Sequence, residues 1–196
     1  MQIKECLDQL LANPLPERLG DDLIKTCLDQ APEGLVMEFG VASGGSFRVI
    51  LNATDRHCFG FDSFKGLPET VEGWTEGTFA CEVPKFEESN AHIVIGLIQD
   101  TLPGFLDNNA PPAAFVHIDT DIYSAAKYIF DTLYDRGRIV PGTIILFDEL
   151  FNCEANSYAA WSHHEYKAFV EFGERTGLGV EFLGRRAANS YAFKIL

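Results

Sequence analysis

Residues 113–149, AAFVHIDTDIYSAAKYIFDTLYDRGRIVPGTIILFDE, read as strand, helix, strand. The run 114–118 (AFVHI) is short and apolar and ends at Asp119, as a strand buried on both faces of a parallel sheet does. Beyond it Tyr123, Ala126, Ile129, Phe130, Leu133 and Tyr134 recur at three- and four-residue spacing, one face of a helix over residues 123–136. Pro141-Gly142 breaks the chain before a second apolar run, 143–147 (TIILF), which ends in Asp148-Glu149. A βαβ crossover makes the two strands parallel, so Asp119 and the Asp148-Glu149 pair leave the sheet at one edge. Open α/β sheets bind ligands at that edge. Two readings of the acids stay open. Carboxylates converging there repel one another unless they share a hard cation or a proton, which makes a metal or proton-handling site. Otherwise they cap the following helices and face water.

Towards the N-terminus, residues 35–40 (LVMEFG) read as the first strand, followed by the turn 41–45 (VASGG) and a helix over 46–54. Gly40, Gly44 and Gly45 allow a tight turn and close approach of a ligand, and the helix offers its N-terminal amides. The turn has neither the G-x-G-x-x-G spacing of dinucleotide sites nor a Walker lysine, and GVASGG lacks the G-x-S-x-G nucleophile elbow. The second strand, 57–61 (HCFGF), ends at Asp62. An acid there suits a ribose diol; the alternative is a cap on the turn 63–66. Residues 67–90 carry Pro, Gly, Trp74 and mixed charge without periodicity and read as a lid. Residues 91–98 form the third strand, and Asp100-Thr101-Leu102-Pro103 opens a short helix reaching residue 106. Asp100 is either its N-cap or part of the cofactor edge.

Towards the C-terminus, residues 161–175 read as a helix containing WSHHEYKAF, in which His163 and His164 point in different directions and read as surface histidines. Residues 178–183 and 190–195 are β-rich and joined at 184–189 like a hairpin, an antiparallel pair at the sheet edge. Two helices, 3–12 and 17–30 (the latter with Leu19, Leu23, Ile24, Cys27 and Leu28 as its apolar face), precede the sheet as a lid or a homodimer contact. The expected fold is α/β: a Rossmann-like, mostly parallel seven-stranded sheet with helices on both faces and a C-terminal antiparallel strand pair. The whole chain reads as one domain, 1–196, with 1–31 as a helical extension.

Length and composition fit this: 196 residues with 46% hydrophobic content suit one domain with a substantial core. A net charge of −14 argues against a nucleic-acid partner, because affinity for a phosphate backbone is built from Lys and Arg. No apolar run approaches the ~20 residues of a membrane span, and the N-terminus has no basic start or apolar h-region, so the expectation is a soluble cytoplasmic protein. Five cysteines without a CxxC pair point to reduced thiols and away from thiolate-held metal.

The segments LVMEFGVASGGSFRVI, FGFDSFKGLPE, DTLPGFL and FVHIDTDIYSAAKYIFDTLYDRGRIVPGTIILFDEL, with WSHHEYKAF beyond them, together cover roughly residues 35–170. In combination they resemble class I S-adenosylmethionine-dependent methyltransferases, and more narrowly the metal-dependent O-methyltransferases related to macrocin O-methyltransferase. The resemblance implies that Glu38, Gly40 and Gly44, with Ser46 at the start of the helix, form the cofactor loop around the methionine moiety. It implies that Asp62 binds the ribose hydroxyls, with Ser63 and Phe64 beside the adenine and Asp100 at the cofactor edge. Asp119, Asp148 and Glu149 stand at the family's Mg²⁺ positions, with Asp-Glu where relatives often carry Asp-Asp or Asp-Asn. Asp121 and His164 are the candidates for the base that deprotonates the acceptor hydroxyl, and Asp119 serves if no metal binds. The catechol-type members carry a lysine just after the first metal acid, and residues 120–124 contain none. The implied acceptor is a sugar or other polyhydroxylated natural product, a phenol coming next. Two rivals remain at this point: an NAD(P)-binding Rossmann oxidoreductase, and a noncatalytic methyltransferase-like domain.

Overall fold

The computed structural model describes residues 1–13, 22–151, 161–186 and 190–196. The readings of residues 17–21 (Leu19 included), Asn152, Cys153 and 187–189 lie outside these. Five parallel strands, β1 (Leu35–Phe39), β2 (Cys58–Asp62), β3 (Ala91–Ile95), β4 (Ala113–Ile118) and β5 (Ile144–Phe147), are followed by β6 (Val180–Arg186) and β7 (Ser190–Ile195). The sheet order is β3-β2-β1-β4-β5-β7-β6, with β7 antiparallel to both β5 and β6. The helices are α1 (Ile3–Ala12), α2 (Leu23–Gln30), α3 (Gly45–Ala53), α4 (Ile98–Asn108), α5 (Tyr123–Asp135) and α6 (Glu165–Thr176). This is the Rossmann-like architecture expected from the sequence.

Strand alternation sorts the core into two layers. Leu35, Met37 and Phe39 of β1 pack with Ile3, Ile129 and Phe130 on one face, while Val36 packs with Leu23, Phe47 and Ile50 on the other. Each such fully buried aliphatic or aromatic side chain contributes about 1.5–3 kcal/mol. Phe130 stacks on Phe172 with centroids 5.0 Å apart, which fixes α5 against α6.

Several boundaries differ from the sequence reading. The third strand stops at Ile95, because Gly96 has φ +145 and turns the chain, and Ile98 opens α4 instead of closing the strand. α4 runs to Asn108 and carries Pro103 inside it; Leu97 holds the N-cap position and Asp100 stands in the first turn, so the N-cap reading of Asp100 is corrected. The stretch 161–175 is not one helix: a short 3-10 turn, Trp161–His163, leads through His164 at the N-cap into α6.

β1 and β4 are neighbours, but the chain leaves β1 towards β2 and leaves β4 towards β5. Their carboxyl ends therefore flank the topological switch point. Here the Asp119 amide donates to Phe39 O at 2.9 Å and the Gly40 amide to Phe61 O at 2.9 Å. A Cβ on Gly40 would lie 1.7 Å from the Asp119 carbonyl oxygen, and its φ is +90. Gly40→Ala is therefore expected to destabilise the fold by about 2–4 kcal/mol through overpacking and left-handed strain. Gly45→Ala, whose Cβ meets nothing within 4 Å, should stay within about 1 kcal/mol of wild type. Urea unfolding of both variants checks the contrast; equal losses would contradict it.

Candidate active site

A pocket of about 280 Å³ opens at the switch point. Gly40, Ala42 and Asp62 line it from the β1–β2 side, and Asp119, Thr120, Asp121 and Glu149 from the ends of β4 and β5. Gly66, Leu67 and Phe79, from the segment after β2, complete it. Among the described residues, 67–90 hold no helix or strand beyond one bridge between Val71 and Trp74.

Asp62 ends β2 and ties the turn after β1 to its own strand. Its Oδ2 accepts from the Val41 and Ala42 amides at 2.9 and 2.7 Å, and its Oδ1 from the Phe64 amide at 2.7 Å. An ionised carboxylate has about four acceptor positions, so room for one further donor remains. The turn ends in Gly44 at the N-cap of α3, φ +83, where a Cβ would meet Phe86 and Arg48 at 2.7 and 2.8 Å. Gly44 thus answers to packing against the 67–90 segment as well as to turn geometry.

Across the pocket the acids hold their protons tightly. Burial first, then the charge of Asp148, raises the Asp119 carboxyl well above the usual range, with His117 acting the other way. Burial, Glu149 and Asp148 push Asp121 up to about 7. Glu149 is raised by burial and by Asp148. Asp148 accepts at Oδ1 from Ser190 Oγ at 3.2 Å and from Arg186 at 3.4 Å, and does not line the pocket.

Two buried carboxylates support this cluster, and the sequence reading gave one of them no role. Glu165, the first residue of α6 and 1% exposed, accepts at Oε1 from Thr120 N (2.9 Å), Thr120 Oγ1 (3.1 Å) and Asp121 N (3.2 Å). It holds the turn in which Asp121 adopts φ +62. Glu38, fully buried at the sheet centre, bonds His117 Nδ1 at 2.7 Å across the β1–β4 register. Burial alone would lower the His117 pKa; the Glu38 hydrogen bond and charge, with Asp119 and Asp148, outweigh it and raise it. A histidine inside the apolar strand AFVHI was the visible signal for that pair. Nothing in the sequence links Glu165 to residues 45 positions away.

The structure thus brings Gly40, Asp62, Asp119, Asp121 and Glu149 to one pocket, with Glu38, Gly44, Ser46, Ser63, Phe64, Asp100, Asp148 and His164 outside its lining. Ser63 Oγ accepts from the Lys65 amide at 3.1 Å, and Phe64 is buried in the α2–α3 layer. His163 is exposed, as a surface histidine should be, but His164 is only 4% exposed because the chain turns inward at the N-cap of α6. Burial and then the charge of His163 lower its pKa, with Glu72 and Glu69 opposing. Among the described residues, no three His, Cys, Asp or Glu side chains are already gathered so that they could hold a metal ion.

The family model described as a methyltransferase domain matches residues 37–150, more than half of the chain. The chain belongs to this methyltransferase family. No curated protein matches the methyltransferase by sequence. Among solved structures it is similar to CalS11, described as a calicheamicin methyltransferase (TM-score 0.69, 23% identity, covering 98% of this chain and 91% of that one). It is also similar to the O-methyltransferase NovP (0.65, 19%, 89% and 78%) and to an O-methyltransferase from Bacillus cereus in complex with SAH (0.52, 14%, 99% and 90%). At these identities the likeness is one of fold. The four cysteines among the described residues are free thiols, and burial pushes Cys27 and Cys58 up to about 12, so both are unreactive. No described helix is long and apolar enough to cross a membrane.

The Asp121 shift links pH to stability. Its folded pKa of about 7 lies above the unfolded ~3.9, so its contribution is full below the unfolded value and is lost as pH rises to 7. In metal-free protein, Asp121→Asn should therefore be about 1–3 kcal/mol more stable than wild type at pH 8, the gain shrinking as pH falls towards 5. Thermal unfolding across that range checks it; a gain that grows on acidification would contradict it.

Proposed function

We propose that this methyltransferase moves the methyl group of S-adenosylmethionine to a hydroxyl of a small molecule, a sugar or polyhydroxylated natural product. The observation that carries the reading is that one pocket joins Asp62, on the glycine-turn side, to Asp119, Asp121 and Glu149 across the switch point. Class I cofactors lie along that crevice, with ribose at the acid after β2 and the reacting carbon towards β4. CalS11, itself described in another structure as a TDP-rhamnose 3'-O-methyltransferase, and the O-methyltransferase NovP support oxygen as the acceptor atom. The missing G-x-G-x-x-G counts against the oxidoreductase rival.

Methyl transfer from a sulfonium to oxygen is an in-line displacement, in which the C–O bond forms as the C–S bond breaks. S-Adenosylhomocysteine leaves and the hydroxyl proton must go to a base. The protein's work is positioning and proton removal. Asp62 holds the Val41-Ala42 turn and retains one acceptor position for a ribose hydroxyl. Asp121 lines the pocket with a pKa of about 7, so near neutral pH it is ionised in a useful fraction and still basic enough to take the proton. Glu165 holds Asp121 in place. His164, outside the lining, is the less direct candidate.

The donor set suits a hard divalent cation by its chemistry: the carboxylates are all-oxygen ligands, and Asp119 and Glu149 are raised first by burial and then by the charge of Asp148, which a cation would offset. Asp119, Asp148 and Glu149 are the residues that would hold Mg²⁺. Bound there, it would supply Lewis-acid stabilisation to acceptor oxygens.

Calorimetric titration tests the assignment. Asp62→Ala should weaken S-adenosylhomocysteine binding roughly 10- to 100-fold, the worth of hydrogen bonds to a charged group, while Asp119→Ala keeps binding and loses turnover. The reverse pattern would overturn the placement. Mg²⁺ should raise the melting temperature of wild type more than that of Asp119→Ala; an equal or absent response would remove the metal from the account.

A further inference from the structure

Residues 82–87 (EVPKFE) lie against the N-terminal turn of α3 and are held there by few contacts. Before them the Cys81 amide donates to Phe64 O at 3.3 Å, and after them the Ala91 amide donates to Glu88 O at 3.1 Å. Between these, among the described residues, one hydrogen bond reaches the segment: Arg48 Nη2 donates to Lys85 O at 3.2 Å. The ring of Phe86 meets the same arginine, whose Cζ stands 4.8 Å from its centroid, and packs edge-on against Phe47 at 5.1 Å.

The same guanidinium holds the glycine turn. Long side chains on a helix lean towards its N-terminus, and Arg48 Nη1 donates to Ser43 O at 2.9 Å and to Gly44 O at 3.0 Å. Asp62 accepts from the Val41 and Ala42 amides of that turn. One charged group thus satisfies the donors of residues 41–44 and another the acceptors. The turn needs this support: Ala42 has φ +45, a conformation that a non-glycine residue keeps only where its surroundings impose it, and it lines the pocket. Gly44 leaves the space that Phe86 and Arg48 occupy. The planar fork of an arginine presents donors in several fixed directions, so one side chain serves both the turn and Lys85; an ammonium is a point charge without that geometry.

We propose that Arg48 is a positioning residue that sets the turn 41–44 for the cofactor and latches residues 82–87 onto it, so that cofactor binding and closure of this segment favour one another. The cofactor half of this rests on the methyltransferase reading. Arg48 does not line the pocket, so it acts through the turn and not on the reacting atoms. By linkage, a latch that tightens cofactor binding by some factor is itself tightened by the same factor when the cofactor binds.

The segment carries its own probe, because Lys85 is exposed and the Lys85–Phe86 bond is a trypsin site. Wild type, Arg48→Ala and Arg48→Lys are digested without ligand, and cleavage after Lys85 is followed by mass spectrometry against cleavage after Lys127 in α5, which reports global opening. Both variants should be cut after Lys85 roughly three- to tenfold faster than wild type, the worth of one net hydrogen bond, with the Lys127 rate unchanged. Equal acceleration at both sites, an unchanged Lys85 rate in Arg48→Ala, or wild-type behaviour of Arg48→Lys would each overturn the latch, and this arm needs no cofactor. Calorimetry with S-adenosylhomocysteine then tests the coupling. Arg48→Ala should bind roughly three- to tenfold more weakly than wild type, and the ligand should slow cleavage after Lys85 more in wild type than in Arg48→Ala. Equal affinity in the two proteins would overturn the proposal alone; absence of binding by wild type would overturn the methyltransferase reading and, with it, the cofactor role given to Arg48.

Discussion

The backbones of β1 and β4 meet so closely at their carboxyl ends that Gly40 leaves no room for a Cβ beside the Asp119 carbonyl. Everything at the site hangs on that contact. It brings the turn that follows β1 to within one pocket of the acids that follow β4 and β5. It also aligns Glu38 with His117 in the sheet register, so a buried hydrogen-bonded pair lies beneath the switch point. Any widening of the β1–β4 crevice would separate the glycine-turn side of the pocket from the acids across it.

The electrostatic arrangement follows from this packing. A sheet edge that gathers Asp119, Asp121 and Glu149 away from water raises the cost of ionising them, and all three are raised. The fold compensates locally: Ser190 and Arg186 donate to Asp148, and Glu165 takes three donors from the 120–121 turn. If the sulfonium lies in this pocket, as proposed above, Asp121 with its pKa of about 7 stands where a proton acceptor is useful. The same negative charge that costs stability would attract a sulfonium.

Much of this was legible in the sequence because it lies in local patterns. Strand runs ending in Asp62, Asp119 and Asp148-Glu149, with a helix between the last two, fix the parallel sheet and the edge where the acids emerge. What the sequence withheld are contacts between distant segments. Glu165 and Thr120 are joined by the packing of α6 on α5, and the inward turn of His164 depends on a 3-10 turn that its neighbours do not announce. Phe79 sits in a segment without periodicity, and contacts between distant residues, Trp74 on Ile122 and Ala125 and the Leu67 amide on Thr78 O, give it a place in the pocket. The boundary errors around Gly96 and Pro103 differ in origin: the sequence reading carries the strand through Gly96 although its φ of +145 ends it, and it opens the helix at Asp100 and Pro103 and stops it at residue 106, whereas α4 starts at Ile98 and runs to Asn108.

The most direct measurement is a crystal structure of the protein grown with S-adenosylhomocysteine. The account predicts the ribose within hydrogen-bonding distance of Asp62 and the sulfur directed towards the pocket between Gly40 and Asp121. A ligand bound elsewhere, or a ribose away from Asp62 with the sulfur turned from Asp119 and Asp121, would contradict it.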